Sequence, residues 1–180
     1  MSRARRNPKP LDPSRMEELA LAYVARFATS RAKLEGYLAR KLRERGWESA
    51  SLPAIAELAE RFVASGYIDD EAYARARTGS LMRRGYGMRR VGQALGAAGI
   101  EADVRERIAP DEAERRAAAL VLARKRRFGP FAAEPPDKAR REKQIAAMLR
   151  AGHAPDHAIA LVDAASAGEA EEWSEGGCEN

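Results

Sequence analysis

Four arginines bracket one short bend: Arg83 and Arg84 precede Gly85-Tyr86-Gly87, and Arg89 and Arg90 follow it. Guanidinium groups converging beside an aromatic ring suit phosphate or carboxylate oxygens, which the planar fork binds through paired hydrogen bonds. A second basic run, Arg124-Lys125-Arg126-Arg127, precedes Phe128 and Phe131, and Lys138, Arg140, Arg141 and Lys143 follow Pro130, Pro135 and Pro136. Both clusters are candidate contacts for a nucleic-acid backbone or an acidic protein surface, with Tyr86 suited either to stack on a base or to pack between modules. The competing reading of each is a solvated face whose charges answer helix dipoles.

Other chemistry is sparse. The chain has no Walker loop, no His-Glu-x-x-His and no Gly-x-Ser-x-Gly, and Gly85-Tyr86-Gly87 lacks the preceding strand of a nucleotide-binding loop. His153 and His157 have the i,i+4 spacing of helical zinc ligands, but Pro155 lies between them and no third ligand is evident, so a capping or surface role is expected. Asp69 and Asp70 resemble an acid pair, yet their place at the front of an amphipathic segment is explained by capping and the helix dipole. Gly92 and Gly96 form a small-xxx-small pattern that predicts close helix packing. A non-catalytic protein without metal or cofactor is expected.

These residues must be positioned by helices. Alanine, leucine, arginine and glutamate dominate the 180 residues, aromatics make up 6%, and apolar residues recur at helical spacing. The 32 basic side chains against 27 acidic ones leave a net charge of +5, nearly all of it arginine. Cys178 is the single cysteine, so no internal disulfide is possible and a reducing, cytoplasmic compartment fits. Pro8, Pro10 and Pro13 interrupt the region that a secretion signal would need, and the longest apolar run, Ala117 to Ala123, is far short of the ~20 residues of a membrane span. A soluble protein is expected.

A repeat organises the chain. A helix-like segment ends at Gly46, again at Gly99 and again at Gly152, 53 residues apart each time, with Leu42, Leu95 and Met148 four residues before. Glycine follows a helix where the C′ position requires positive φ. Around these endings the periodicity predicts three helices per module. Leu19, Tyr23 and Phe27 form one stripe, Leu34, Leu38 and Leu42 a second, and Ile55, Leu58, Phe62 and Val63 a third, with Ser30 and Ser51 as caps. Asp111 with Glu114 resembles a capping box, and Asp137 opens a later helix whose copy has drifted, since the shift takes Leu38 to Val91 but then to Gln144, one place before Ile145. The predicted fold is all-α: three tandem three-helix repeats in an elongated, curved molecule. Its parts are a basic disordered arm at 1–13, modules at 14–66, 67–109 and 110–165, and an acidic disordered tail at 166–180.

Gly66-Tyr67-Ile68-Asp69-Asp70-Glu71-Ala72-Tyr73-Ala74, followed by Arg83 to Val91 and by Leu95 to Gly99 and Ile100, resembles the RecX family of bacterial regulatory proteins. In this resemblance Gly66, Tyr67, Asp69, Asp70, Tyr73, Ala74, Gly85, Gly87, Leu95 and Gly99 are the structural motif. It extends weakly into the third module, where His153 stands at a position often aromatic. What it implies is a regulator that binds the RecA recombinase, chiefly as its filament on single-stranded DNA. Such a protein restrains ATP hydrolysis, strand exchange and co-protease activity in recombination, DNA repair and the SOS response, and contacts neighbouring subunits in the filament groove. A cytoplasmic monomer with weak direct DNA binding is expected. An arginine-rich helical transcription regulator is the alternative, disfavoured by the scarcity of Asn and Gln on the candidate recognition helices.

Overall fold

Several of the helices begin where a side chain accepts a backbone N–H group that the first turn leaves unpaired. In the computed structural model, which describes residues 9–176, the helices are α1 (Pro13–Val24), α2 (Arg31–Arg45), α3 (Ile55–Ala64), α4 (Asp70–Arg83), α5 (Met88–Ala97), α6 (Ala102–Arg107), α7 (Glu112–Arg126), α8 (Lys138–Ala151), α9 (Pro155–Asp163) and α10 (Ala167–Glu175). Asp12, Ser30, Asp137 and Ser166 cap α1, α2, α8 and α10, and Asp111 with Glu114 completes a reciprocal capping box on α7. Ser51 does not cap α3. That helix starts after Ala54 without a side-chain cap, and the Ser51 carbonyl accepts the Trp47 indole N–H at 2.6 Å. The fold is all-α; the pairing of Leu11 with Trp47 is an isolated bridge. No helix among the described residues is long and apolar enough to cross a membrane.

Helices α1–α9 run as three successive triplets, and the middle helix of each ends at Gly46, Gly99 or Gly152, with φ of 78°, 69° and 99°. The register is kept more closely than the apolar pattern predicts. Leu38, Val91 and Gln144 are all buried, so the third copy has not slipped to Ile145. Gln144 tolerates this place because its Oε1 accepts the Gly129 N–H at 2.9 Å, satisfying two buried polar groups together.

Packing divides the chain into two compact units: residues up to Tyr73 with Ala98–Ile100, and Ala74–Ala97 with the residues from Glu101 onward. The first unit centres on Leu11, Met16, Ala20, Leu34, Leu38, Leu58, Ala59, Phe62 and Ile68. Leu11 is fully buried, so the last residues of the stretch predicted as a disordered arm belong to the fold, while the arginines at positions 3, 5 and 6 lie outside the described residues, as does Cys178. Phe27, expected on the inward stripe of α1, falls beyond the end of that helix and is 55% exposed. Within this unit Ser30 caps Lys33 and also donates to the Ala98 carbonyl at 2.5 Å, and Asp70 accepts the Arg31 N–H at 2.9 Å. Ser30→Ala is therefore expected to cost about 2 kcal/mol, from a lost cap and an unpaired buried carbonyl, read as a lower urea midpoint with unchanged slope.

The second unit centres on Ala119, Leu120, Leu122, Ala123, Met148, Ala158, Leu161, Val162 and Ala170. Ala170 belongs to α10, so the acidic segment predicted as disordered instead forms a helix on this core. Alternating small and charged residues hid an amphipathic face: Ala170 is fully buried, Trp173 packs against the core, and Arg116 donates to the Trp173 carbonyl at 3.2 Å.

Candidate nucleic-acid interface

The bend at residues 85–87 is shaped by backbone. Within the second unit the Gly87 N–H donates to the Ala151 carbonyl at 3.0 Å and the Arg89 N–H to the Gly152 carbonyl at 3.1 Å, joining the start of α5 to the end of α8. A Cβ on Gly87 would lie 2.3 Å from the Gly152 carbonyl carbon, and one on Gly152 would lie 2.6 Å from the Arg90 nitrogen. Gly85 has φ of 85°, and its carbonyl accepts from His153 Nε2 at 2.9 Å.

This junction separates the four arginines instead of converging them. Consecutive helical residues project about 100° apart, so paired arginines cannot share one direction. Arg83 folds back along α4, its guanidinium lying against Gly79, and Arg89 donates to the Leu149 carbonyl at the end of α8. Arg84 and Arg90 remain beside Tyr86, with the Arg84 guanidinium carbon 5.3 Å from the ring centroid. Arg90 also contacts Gln93 Oε1 at 3.3 Å.

Two adjoining clefts share Arg84 and Tyr86. Arg77, Arg90 and Gln93 help to line one; Lys125, Arg126, Phe128 and Arg150 help to line the other. The structure thus brings part of the second basic cluster to the first. All six cations are exposed, and no carboxylate is among the lining residues. The result is a cationic groove with a half-buried tyrosine at its centre, a field that concentrates polyanions. Arg77 and Arg150 were missed by sequence reasoning. Arg77 was findable, since it lies on α4 seven residues before Arg84, which directly follows that helix; Arg150 carried no local signal, because only the α5–α8 junction brings it here.

The remaining candidates lie elsewhere. Arg124 pairs with Glu171 and lies over the Phe131 ring. Arg127 ends α7 in the left-handed conformation at φ 55°. Lys138 and Arg140 are exposed in the first turn of α8, outside the groove lining. Arg141 grips Asp163 through two bonds of 2.5 and 2.6 Å, which hold the Asp163 carboxyl below the usual carboxylate range. In the family motif, Gly66 takes φ of 74° and the following N–H groups of Tyr67 and Ile68 return to the Phe62 carbonyl. Asp69 accepts the Ala72 N–H at 2.8 Å, Tyr73 accepts from Lys33 Nζ at 3.1 Å, and Ala74 and Leu95 are buried. Tyr67 is 58% exposed. Gly92 meets nothing within 4 Å of an added Cβ and Gly96 only the tip of Arg105, so the close packing predicted from their spacing does not occur.

The two histidines are not surface residues. Both are buried; His157 bonds Glu112 at 2.8 Å and meets Trp173 edge-on at 5.3 Å. No cluster of three potential metal ligands occurs among the described residues. Burial lowers the His153 pKa, more than its bond to Gly85 raises it. Because the folded pKa is depressed, the unfolded chain takes up this proton first, and stability is expected to fall as pH drops through about 6.5 and below. His153→Gln keeps a donor for the Gly85 carbonyl but cannot titrate; denaturation midpoints between pH 7 and 5, as an approximate working range, should then show a shallower slope.

Comparison with known proteins gives a consistent set of relatives. Residues 69–107 match the family model described as RecX, second three-helix domain. Regulatory protein RecX of Myxococcus xanthus is 31% identical over 83% of this chain and 85% of its own length, and that of Mycobacterium sp. strain KMS is 34% identical over 91% of each. The crystal structure of RecX from Lactobacillus salivarius superposes with a TM-score of 0.65 over 83% of this chain and 93% of that one, at 19% identity, which is a likeness of fold.

Proposed function

Because the chain belongs to the RecX family of regulatory proteins, we propose that it binds the RecA recombinase assembled on single-stranded DNA and restrains that filament. The processes held back are ATP hydrolysis, strand exchange and co-protease activity, in the control of recombination, DNA repair and the SOS response in the cytoplasm. The observation that carries this reading is the groove around Tyr86, where six cations line two joined clefts without a carboxylate. Such a groove favours a phosphate-bearing partner, and its field steers encounter with a DNA-threaded filament. The protein acts as a monomer by binding, with no chemical step of its own. Purified protein is added to recombinase, single-stranded DNA and ATP, and hydrolysis and filament length are followed. A fall in hydrolysis at stoichiometric protein is expected; unchanged hydrolysis and filament length would overturn the proposal. Preferential binding to one duplex sequence without recombinase would instead favour a transcription regulator.

A further inference from the structure

The first unit carries a row of three aromatic rings, two packed on its core and the outermost, Phe27, largely exposed. Tyr23, near the end of α1, stacks on Tyr37 of α2 at 4.3 Å between centroids and 15° between planes. Both pack against the core. Phe27 extends the row, its ring 5.4 Å from Tyr23 and tilted by 49°, but it is not packed on that core and is 55% exposed. Its backbone is held, since the Phe27 N–H donates to the Tyr23 carbonyl at 3.1 Å. Phe27 thus sits in a defined turn with more than half its surface in water, which leaves part of its ring open to a ligand.

Charge says what kind of partner fits. Arg26, beside Phe27, is exposed. At the other end of the row the Arg40 guanidinium lies 5.5 Å and the Lys41 ammonium 6.0 Å from the Tyr37 centroid, and these two cations share one carboxylate, Glu44. Both ends of the aromatic row are therefore electropositive. An apolar protein partner would have to desolvate these cations, whereas an unpaired base supplies a π face and the flanking phosphates supply the countercharge.

We propose that Phe27, backed by the Tyr23–Tyr37 stack, is a stacking platform for an unpaired base of single-stranded nucleic acid, with neighbouring phosphates drawn to Arg26 at one end and to Arg40 and Lys41 at the other. The inference rests on the reading that this protein meets single-stranded DNA, and it adds a base contact on the first unit to the phosphate groove of the second.

The test measures fluorescence anisotropy of labelled oligothymidylate and of an abasic oligonucleotide of equal length, with the full chain and its Phe27→Ala, Phe27→Leu and Phe27→Trp variants. Phe27→Ala and Phe27→Leu are expected to weaken oligothymidylate binding about tenfold while leaving the abasic strand unchanged, since only the first strand has bases to stack. Phe27→Trp is expected to keep the affinity. Unchanged oligothymidylate binding by Phe27→Ala, or equal loss on both strands with an unaltered melting profile, overturns the platform. So does a variant that keeps its DNA affinity and loses only the recombinase. A parallel Arg84→Glu/Lys125→Glu variant separates the two ideas. If it loses DNA and Phe27→Ala does not, the platform alone fails; if the unaltered chain binds neither strand, the nucleic-acid reading fails with it.

Discussion

Replacing Arg84, Arg90, Lys125 and Arg126 together by glutamate is expected to lower affinity for single-stranded DNA roughly 100-fold or more, and to flatten its salt dependence. These four side chains flank Tyr86 on both sides of the groove and are exposed, so reversal changes the field without disturbing a core. Each phosphate contact with a single strand contributes a salt slope of about 0.7, so loss of four should reduce the logarithmic slope by about 3. Anisotropy at several salt concentrations measures both quantities. Reversing Arg83, Lys138, Arg140 and Lys143, exposed cations that lie outside the groove lining, is the matched control and should leave most of the affinity in place. Equal losses in the two sets would mean that net charge alone governs binding, and the groove would lose its assigned role.

Gly87→Ala is expected to be the most damaging conservative substitution in the second unit. Its Cβ would meet the Gly152 carbonyl carbon at 2.3 Å, the Gly152 oxygen at 2.4 Å and the His153 nitrogen at 2.4 Å, all backbone atoms that cannot swing aside. Relief requires parting α5 from α8 and breaking the bonds from Gly87 to Ala151 and from Arg89 to Gly152. A loss of about 3 to 5 kcal/mol follows, seen as a melting temperature lower by on the order of 10 °C. The same change at Gly92, where a Cβ meets nothing within 4 Å, is expected to stabilise α5 by up to about 1 kcal/mol through helix propensity. A groove held together at this junction should lose DNA affinity in Gly87→Ala and keep it in Gly92→Ala.

The contrast between these glycines shows which features are legible in a sequence. Gly46, Gly99 and Gly152 end helices at positive φ, a local demand that glycine meets without strain, so the period of 53 residues could be read directly. Gly87 is required by a backbone 65 residues away in sequence, and nothing in its neighbours says so. Gln144 misled for the same reason: a polar residue at an inward position reads as drift until Gly129 is seen to supply its partner. The histidines at 153 and 157 misled in the opposite sense, being buried by Gly85, Glu112 and Trp173, which the chain brings from three distant segments.

Local rules were sufficient for much of the architecture. Helical periodicity, caps at Ser30, Asp111 and Asp137, and left-handed glycines act within a few residues of one another, so the sequence by itself determined an all-helical chain with three recurring helix endings and two basic clusters. It also carried the likeness to the family, through the motif residues from Gly66 to Ile100. Only the tertiary structure decided which cations share a surface. Arg84 and Arg90 are joined to Lys125, Arg126 and Arg150, while Arg89, Arg124 and Arg141 are taken up by a carbonyl or a carboxylate of the fold. The reason is physical. A guanidinium's direction follows from its place on a helix and its availability from the groups packed beside it, and both are set by contacts between residues far apart in the chain.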